Sequence, residues 1–214
     1  MENEKMKLWK KILIILLILL VILVIFIVRK FVIITNLINE SKEYFDKTNY
    51  FAVVQSLQNG NVNILKSYNK DGNYLTTMRI YGKDIQEKRG LTVYKKDSES
   101  IGIIESGEEK IALLDRNVVG GEVQVDNTLS MIGDNMQKIQ FAIMSRITTD
   151  KYNNIECYLI ELNDWKMWID KETGLILREI NSGIVSERFY EFDIVKDEDI
   201  LKPNTSDCKI QENN

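Results

Sequence analysis

The chain has 214 residues, with 28 Lys/Arg against 32 Asp/Glu, one proline, two cysteines and no histidine. Lack of histidine removes the side chain that most often serves as general base or metal ligand near neutral pH, which argues against most hydrolase and zinc chemistries, though not carboxylate-based ones. Charge is uneven: residues 1–47 hold 8 basic and 5 acidic side chains, and residues 48–214 hold 20 and 27. An acidic domain is a poor partner for nucleic acid, which is bound by neutralising phosphates.

Every residue from Ile12 to Val28 is Ile, Leu, Val or Phe, with Leu17, Leu20 and Leu23 along its length. As a helix this run is roughly 26 Å long, near the ~30 Å hydrocarbon core of a bilayer. Trp9 before it and Phe31 to Ile34 after it make up the difference. Insertion is favoured by roughly 5–10 kcal/mol. A cleaved signal peptide needs a small residue at its cleavage site, and neither Ala nor Gly occurs before Ala52. A lipoprotein signal needs a cysteine just after the apolar run, and the first is Cys157. An uncleaved transmembrane helix is therefore expected. It contains no Gly, Ala, Ser or Thr, the residues that let helices approach in lipid, so it reads as a tether.

Lys5, Lys7, Lys10 and Lys11 precede the span, and Arg29, Lys30, Lys42 and Lys47 follow it. The positive-inside count is close to a tie. A short lysine-bearing tail before a single span is the usual signal-anchor arrangement, so the expected topology is single-pass in the cell membrane, N-terminus inside. The chain then divides into a cytoplasmic tail (residues 1–11), a transmembrane helix (12–34), a juxtamembrane helix (35–48) and a β-rich extracytoplasmic domain (49–210). In the juxtamembrane stretch Leu37, Ile38, Tyr44 and Phe45 form an apolar stripe, either on a continuation of the anchor helix or on a separate first helix.

After Thr48 the period changes. Tyr50–Leu57, Val62–Tyr68 and Tyr74–Tyr81 read as strands joined at Asn59-Gly60 and Asp71-Gly72, the strongest short hairpin signals. Leu91–Lys95, Ser100–Ser106 and Ile111–Asp115 continue this antiparallel meander. Leu129, Ile132, Met136, Ile139 and Ile143 are spaced 3, 4, 3, 4, a one-faced amphipathic helix with N-cap candidates at Asp126, Asn127 and Thr128. Residues 148–154 read as a loop. Ile155–Leu162, Trp165–Ile169, Leu175–Ile180 and Ser186–Val195 are further strands, with Gly174 at the left-handed position of a bulged turn. Eight to ten strands and one long helix make a mainly β, α+β fold: a curved antiparallel sheet with the helix over one face or opening.

No phosphate loop, nucleophile elbow or clustered metal ligands occur, so no catalytic residue, metal or cofactor is expected. Asn69 to Asn73 reads as a turn rather than a cation loop, and Asp197 to Asp199 as a solvated loop rather than a carboxylate pair. Cys157 and Cys208 are open to a disulfide or to two free thiols. Several strands are apolar on both faces. Tyr50, Ala52 and Val54 share a face, as do Tyr74, Met78 and Ile80, and Tyr158 and Ile160, while Trp165 and Trp168 alternate. With Ile132, Met136, Ile139 and Ile143 of the helix, these positions either fill a core or line an apolar cavity.

The stretch from Trp168 to Arg178, the run Phe192-Asp193-Ile194-Val195 followed by Asp199 and Pro203, and Asn49-Tyr50-Phe51 after a first helix resemble the LolA/LolB-like lipoprotein-localisation superfamily, with its RseB-type relatives, over about residues 40–210. The resemblance implies a half-open β-barrel with a helical lid and a non-enzymatic activity: holding acyl chains or lipoproteins in an apolar concavity. A retained span departs from the soluble carriers of that family, since a tethered domain cannot shuttle between membranes. The expectation is a membrane-tethered lipid- or lipoprotein-binding domain. The alternative is a sensory or protein-interaction ectodomain that partners another membrane protein.

Overall fold

The computed structural model describes residues 2–45, 47–84, 86–114 and 132–212. Helix α1 runs unbroken over Glu2–Phe45, because no glycine or proline interrupts it. Its two parts have opposite surroundings. Leu13 to Val28 lie largely exposed, whereas Ile34, Leu37, Ile38 and Ser41 are buried against the β domain. The juxtamembrane stretch is thus the end of the same continuous helix, and its Leu37 and Ile38 form part of the domain core.

Twelve strands form one open curved sheet: β1 (Asn49–Gln58), β2 (Asn61–Lys70), β3 (Asn73–Tyr81), β4 (Glu87–Lys96), β5 (Glu99–Ser106), β6 (Glu109–Leu114), β7 (Arg146–Tyr152), β8 (Ile155–Leu162), β9 (Trp165–Asp170), β10 (Ile176–Asn181), β11 (Ile184–Phe192) and β12 (Lys209–Glu212). Their order is β12-β6-β5-β4-β3-β2-β1-β11-β10-β9-β8-β7. All neighbours are antiparallel except β12, which lies parallel to β6. The turn residues explain the hairpins. Asn59 and Gly60 both have positive φ, as do Asp71 and Gly72, the backbone that two-residue hairpin loops require.

Two strands depart from the sequence expectation. The stretch expected to be a loop is largely β7, an edge strand of polar composition, and β12 is a four-residue edge strand. Helix α2 (Asn135–Met144) starts with Asp134 as N-cap in a reciprocal capping box with Gln137. The expected caps at Asp126, Asn127 and Thr128, and the expected first apolar position Leu129, lie outside the described residues.

The register assigns every side chain to one of two faces. On the first, α1 and α2 cover β8–β10: Ile34, Leu37, Ile38, Phe141, Ala142, Ile160, Met167, Ile169 and Ile176 form one core. On the opposite face, the segment after β11 covers β4–β6: Val195 and Ile200 pack with Tyr94, Ile101, Ile103 and Ala112. That segment is turned at Asp193, where φ is 60°, and pinned by Asn49. The Asn49 amide donates to the Val195 carbonyl at 3.0 Å and accepts from its N–H at 2.9 Å.

Candidate functional site

On the helix-bearing face, strand pairing aligns Val54, Leu65, Met78, Leu91, Ile104 and Ile111 in one row across six strands. Five are half-buried, and Ile104 is exposed. At ~4.8 Å per strand the row is about 24 Å long, more than the ~15 Å that an acyl chain of one leaflet spans. The row behind it, toward the far strand ends, is Ala52, Ser67, Thr76, Val93 and Gly102, all buried. There the Ser67 and Thr76 hydroxyls satisfy each other at 2.9 Å, so that row is closed by packing and pairing.

The end of the apolar row nearest the helices is polar. Arg188 lies opposite Val54 in the register, and its guanidinium meets Glu179 at 2.5 Å. The Trp165 indole N–H donates to the other Glu179 oxygen at 2.7 Å. Both members of this ion pair are nearly buried. A buried charge is tolerated only when paired and hydrogen-bonded, and Glu179 has both. Tyr190, on the same face, has its phenol pushed up by burial. The face therefore offers an apolar band ending at a fixed charged group.

Of the residues singled out from the sequence, Val54 and Met78 lie in the accessible row. Tyr50, Ala52 and Tyr74 are buried, and Ile80 is half-buried two residues past Met78 along β3. Ile160 is core, with Tyr158 and Ile132 packed against it. Trp168 is a correction. It lies on the face opposite Ile160, where its indole donates to Asp150 at 2.8 Å and Arg178 stacks on its ring at 5.2 Å. That hydrogen bond is the main cause that holds the Asp150 carboxyl below its usual range. A second correction concerns α2: Met136, Ile139 and Ile143 are exposed, and the buried positions are Phe141 and Ala142. The apolar spacing was real, but it points away from the sheet. Leu65, Leu91, Ile104 and Ile111 were missed as a set. Each sits in an alternating strand, but only the pairing register puts them in line.

Cys157 and Cys208 are both free thiols. Among the described residues no three His, Cys, Asp or Glu side chains are grouped to hold a metal. Asp71 sits in a turn and accepts from Thr48 at 2.8 Å. Asp197 pairs with Lys70 at 3.0 Å, which lowers its pKa, and Asp199 accepts from the Lys196 N–H at 2.8 Å. These carboxylates brace loops.

No protein-family model matches the sequence, and no curated protein does. Solved structures are similar in the course of the chain. An uncharacterized conserved protein from Thermus thermophilus aligns with a TM-score of 0.47 and 8% identity, over 84% of this chain and 98% of that one. The structure of MucB in complex with MucA(peri) aligns with a TM-score of 0.42 and 13% identity, over 83% of this chain. This chain spans 61% of the length of that MucB structure.

Proposed function

We propose that this protein is a membrane-tethered, extracytoplasmic binding domain for lipid acyl chains or the lipid part of lipoproteins, and that it acts without catalysis. The apolar row from Val54 to Ile111 carries the reading. Six apolar side chains in line, five half-buried and one exposed, match a long apolar ligand better than a compact one. The Arg188–Glu179 pair at one end supplies a polar group beside which a headgroup or a lipoprotein N-terminus is accommodated. The sequence resemblance to LolA/LolB-like proteins supports the same class of ligand. Continuity of α1 from an exposed apolar stretch into the core supports action at the surface of one membrane.

The test is native mass spectrometry of the full chain purified in mild detergent. A truncation at residue 48 is unsuitable, since it deletes Ile34, Leu37 and Ile38 from the core. Lipid or lipopeptide bound to the wild type and lost in Met78→Glu and Leu91→Glu, with folding retained, is the expected result. A bare chain that takes up no lipid, but captures one membrane protein on crosslinking, shifts the assignment to the protein-interaction alternative.

A further inference from the structure

We propose that the outward face of α2 seats in the headgroup region of the bilayer that holds α1, giving the domain a second attachment to the membrane. The inference rests on reading α1 as a membrane span. Met136, Ile139, Ile143 and Met144 are exposed by 64%, 37%, 56% and 66%. At ~100° per residue, Met136, Ile139 and Ile143 fall within about 60° of one another and roughly opposite Phe141 and Ala142. Phe141 and Ala142 hold α2 on α1 and the sheet. A ten-residue helix thus carries two apolar faces, one spent on the core and one uncovered.

Its position names the occupant. The Lys30 ammonium donates to the carbonyl of Ser145, the C-cap of α2, at 2.5 Å. Lys30 is two residues past Val28, where the all-apolar run ends, a distance of about 3 Å along the helix. The C-terminal end of α2 therefore lies about level with the end of that all-apolar run, whose side chains are largely exposed. From Asn135 to Met144 there is no acidic residue, and Lys138 is the only charge. Arg29 flanks the site on α1, and Arg146 flanks it with its side chain 77% exposed. Exposed Ile and Met with Arg at the borders, and no acidic side chain within the helix, are the composition of a helix that lies in a lipid interface. This nearness to the exposed apolar run of α1 favours lipid over a second copy of the chain.

Depth measurement in vesicles of phosphatidylcholine with a minority of phosphatidylglycerol tests this on the full chain. Leu20→Cys, Ile143→Cys and Ile155→Cys, each in a Cys208→Ser background, carry a bimane label, and nitroxide-bearing phospholipids quench it. The unsubstituted Cys208→Ser parent corrects for any labelling of buried Cys157. Ile155 follows the turn at the far end of β7, some ~20 Å from α2, and is exposed. Quenching at positions 20 and 143 is expected to exceed that at 155 about threefold or more. If position 20 is quenched and position 143 behaves like 155, the α2 proposal is overturned and the span stands. If position 20 is not quenched, the span reading fails and takes the proposal with it.

Discussion

The two halves of the sheet are covered by different means. Strands β8–β10 are covered by a helix that also projects far beyond the domain, whereas β4–β6 are covered on the opposite face by the chain's own return after β11. The first core couples the domain to whatever holds α1, and the second is internal to the domain. With about 1.5–3 kcal/mol gained for each fully buried Ile or Leu, the three α1 side chains Ile34, Leu37 and Ile38 bind the helix to the sheet by several kcal/mol. The exposed apolar stretch of α1 continues unbroken into the buried Ile34, Leu37 and Ile38, so a load on the helix is felt in the core.

The most severe way to break this joint is at Gly174. Its φ is +67°, and an added Cβ would sit 2.3 Å from the Leu37 carbonyl oxygen and 2.9 Å from the Ser41 nitrogen. Backbone atoms of a helix cannot step aside as a side chain can. Gly174→Val is expected to cost about 3–5 kcal/mol from left-handed strain and overpacking together. Denaturant unfolding of the full chain in micelles measures it. A loss under ~1 kcal/mol shows that α1 does not lie on this turn.

Next in size is a matched pair. Ile38→Ala and Ile200→Ala remove the same side chain from the two cores, and each is expected to cost about 2–4 kcal/mol. Their consequences should differ. Cys157, in β8, is wholly buried, and burial raises its thiol pKa, so it alkylates slowly in the native state. Ile38→Ala should speed alkylation of Cys157 well beyond what Ile200→Ala does, because only the former loosens the helix-covered half. Equal acceleration by both would mean that the halves open as one unit.

How far these regions were readable beforehand follows from the kind of signal each contains. The hairpins at Asn59-Gly60 and Asp71-Gly72 were legible because positive φ selects residue types locally. Strand β7 was not, since Arg146 to Tyr152 is an edge strand with mostly polar side chains and owes its pairing to β8. The period of α2 was legible but its direction was not. Spacing tells which residues share a face, and only the tertiary surroundings decide whether that face turns inward. The site row was hidden for a related reason: Leu65 and Ile111 are 46 positions apart in sequence and meet on one line only through four intervening registers.

A smaller effect is expected at Asn49, whose side chain ties the returning segment to the first strand through two hydrogen bonds. Asn49→Ala leaves the Val195 N–H and carbonyl to find other partners, at about 1–2 kcal/mol. Its signature is faster alkylation of Cys208, which packs against the second core, with Cys157 unchanged.

The smallest effect separates the two faces of one strand. Trp165 and Trp168 both donate to carboxylates, Trp165 to Glu179 in the nearly buried ion pair and Trp168 to exposed Asp150. The Asp150 carboxyl is held below its ordinary value by the Trp168 indole and then by the Lys151 N–H. A depressed carboxylate stabilises the fold above its unfolded pKa, and that contribution disappears as pH falls through the folded value. Trp168 fluorescence should therefore change on the acid side of the ordinary aspartate range, and Asp150→Asn should abolish the change. With Asp150 solvent-screened, the accompanying stability change is expected to be slight. A background carrying both Trp9→Phe and Trp165→Phe isolates Trp168, and an unchanged acid limb in Asp150→Asn would assign the transition to another carboxylate.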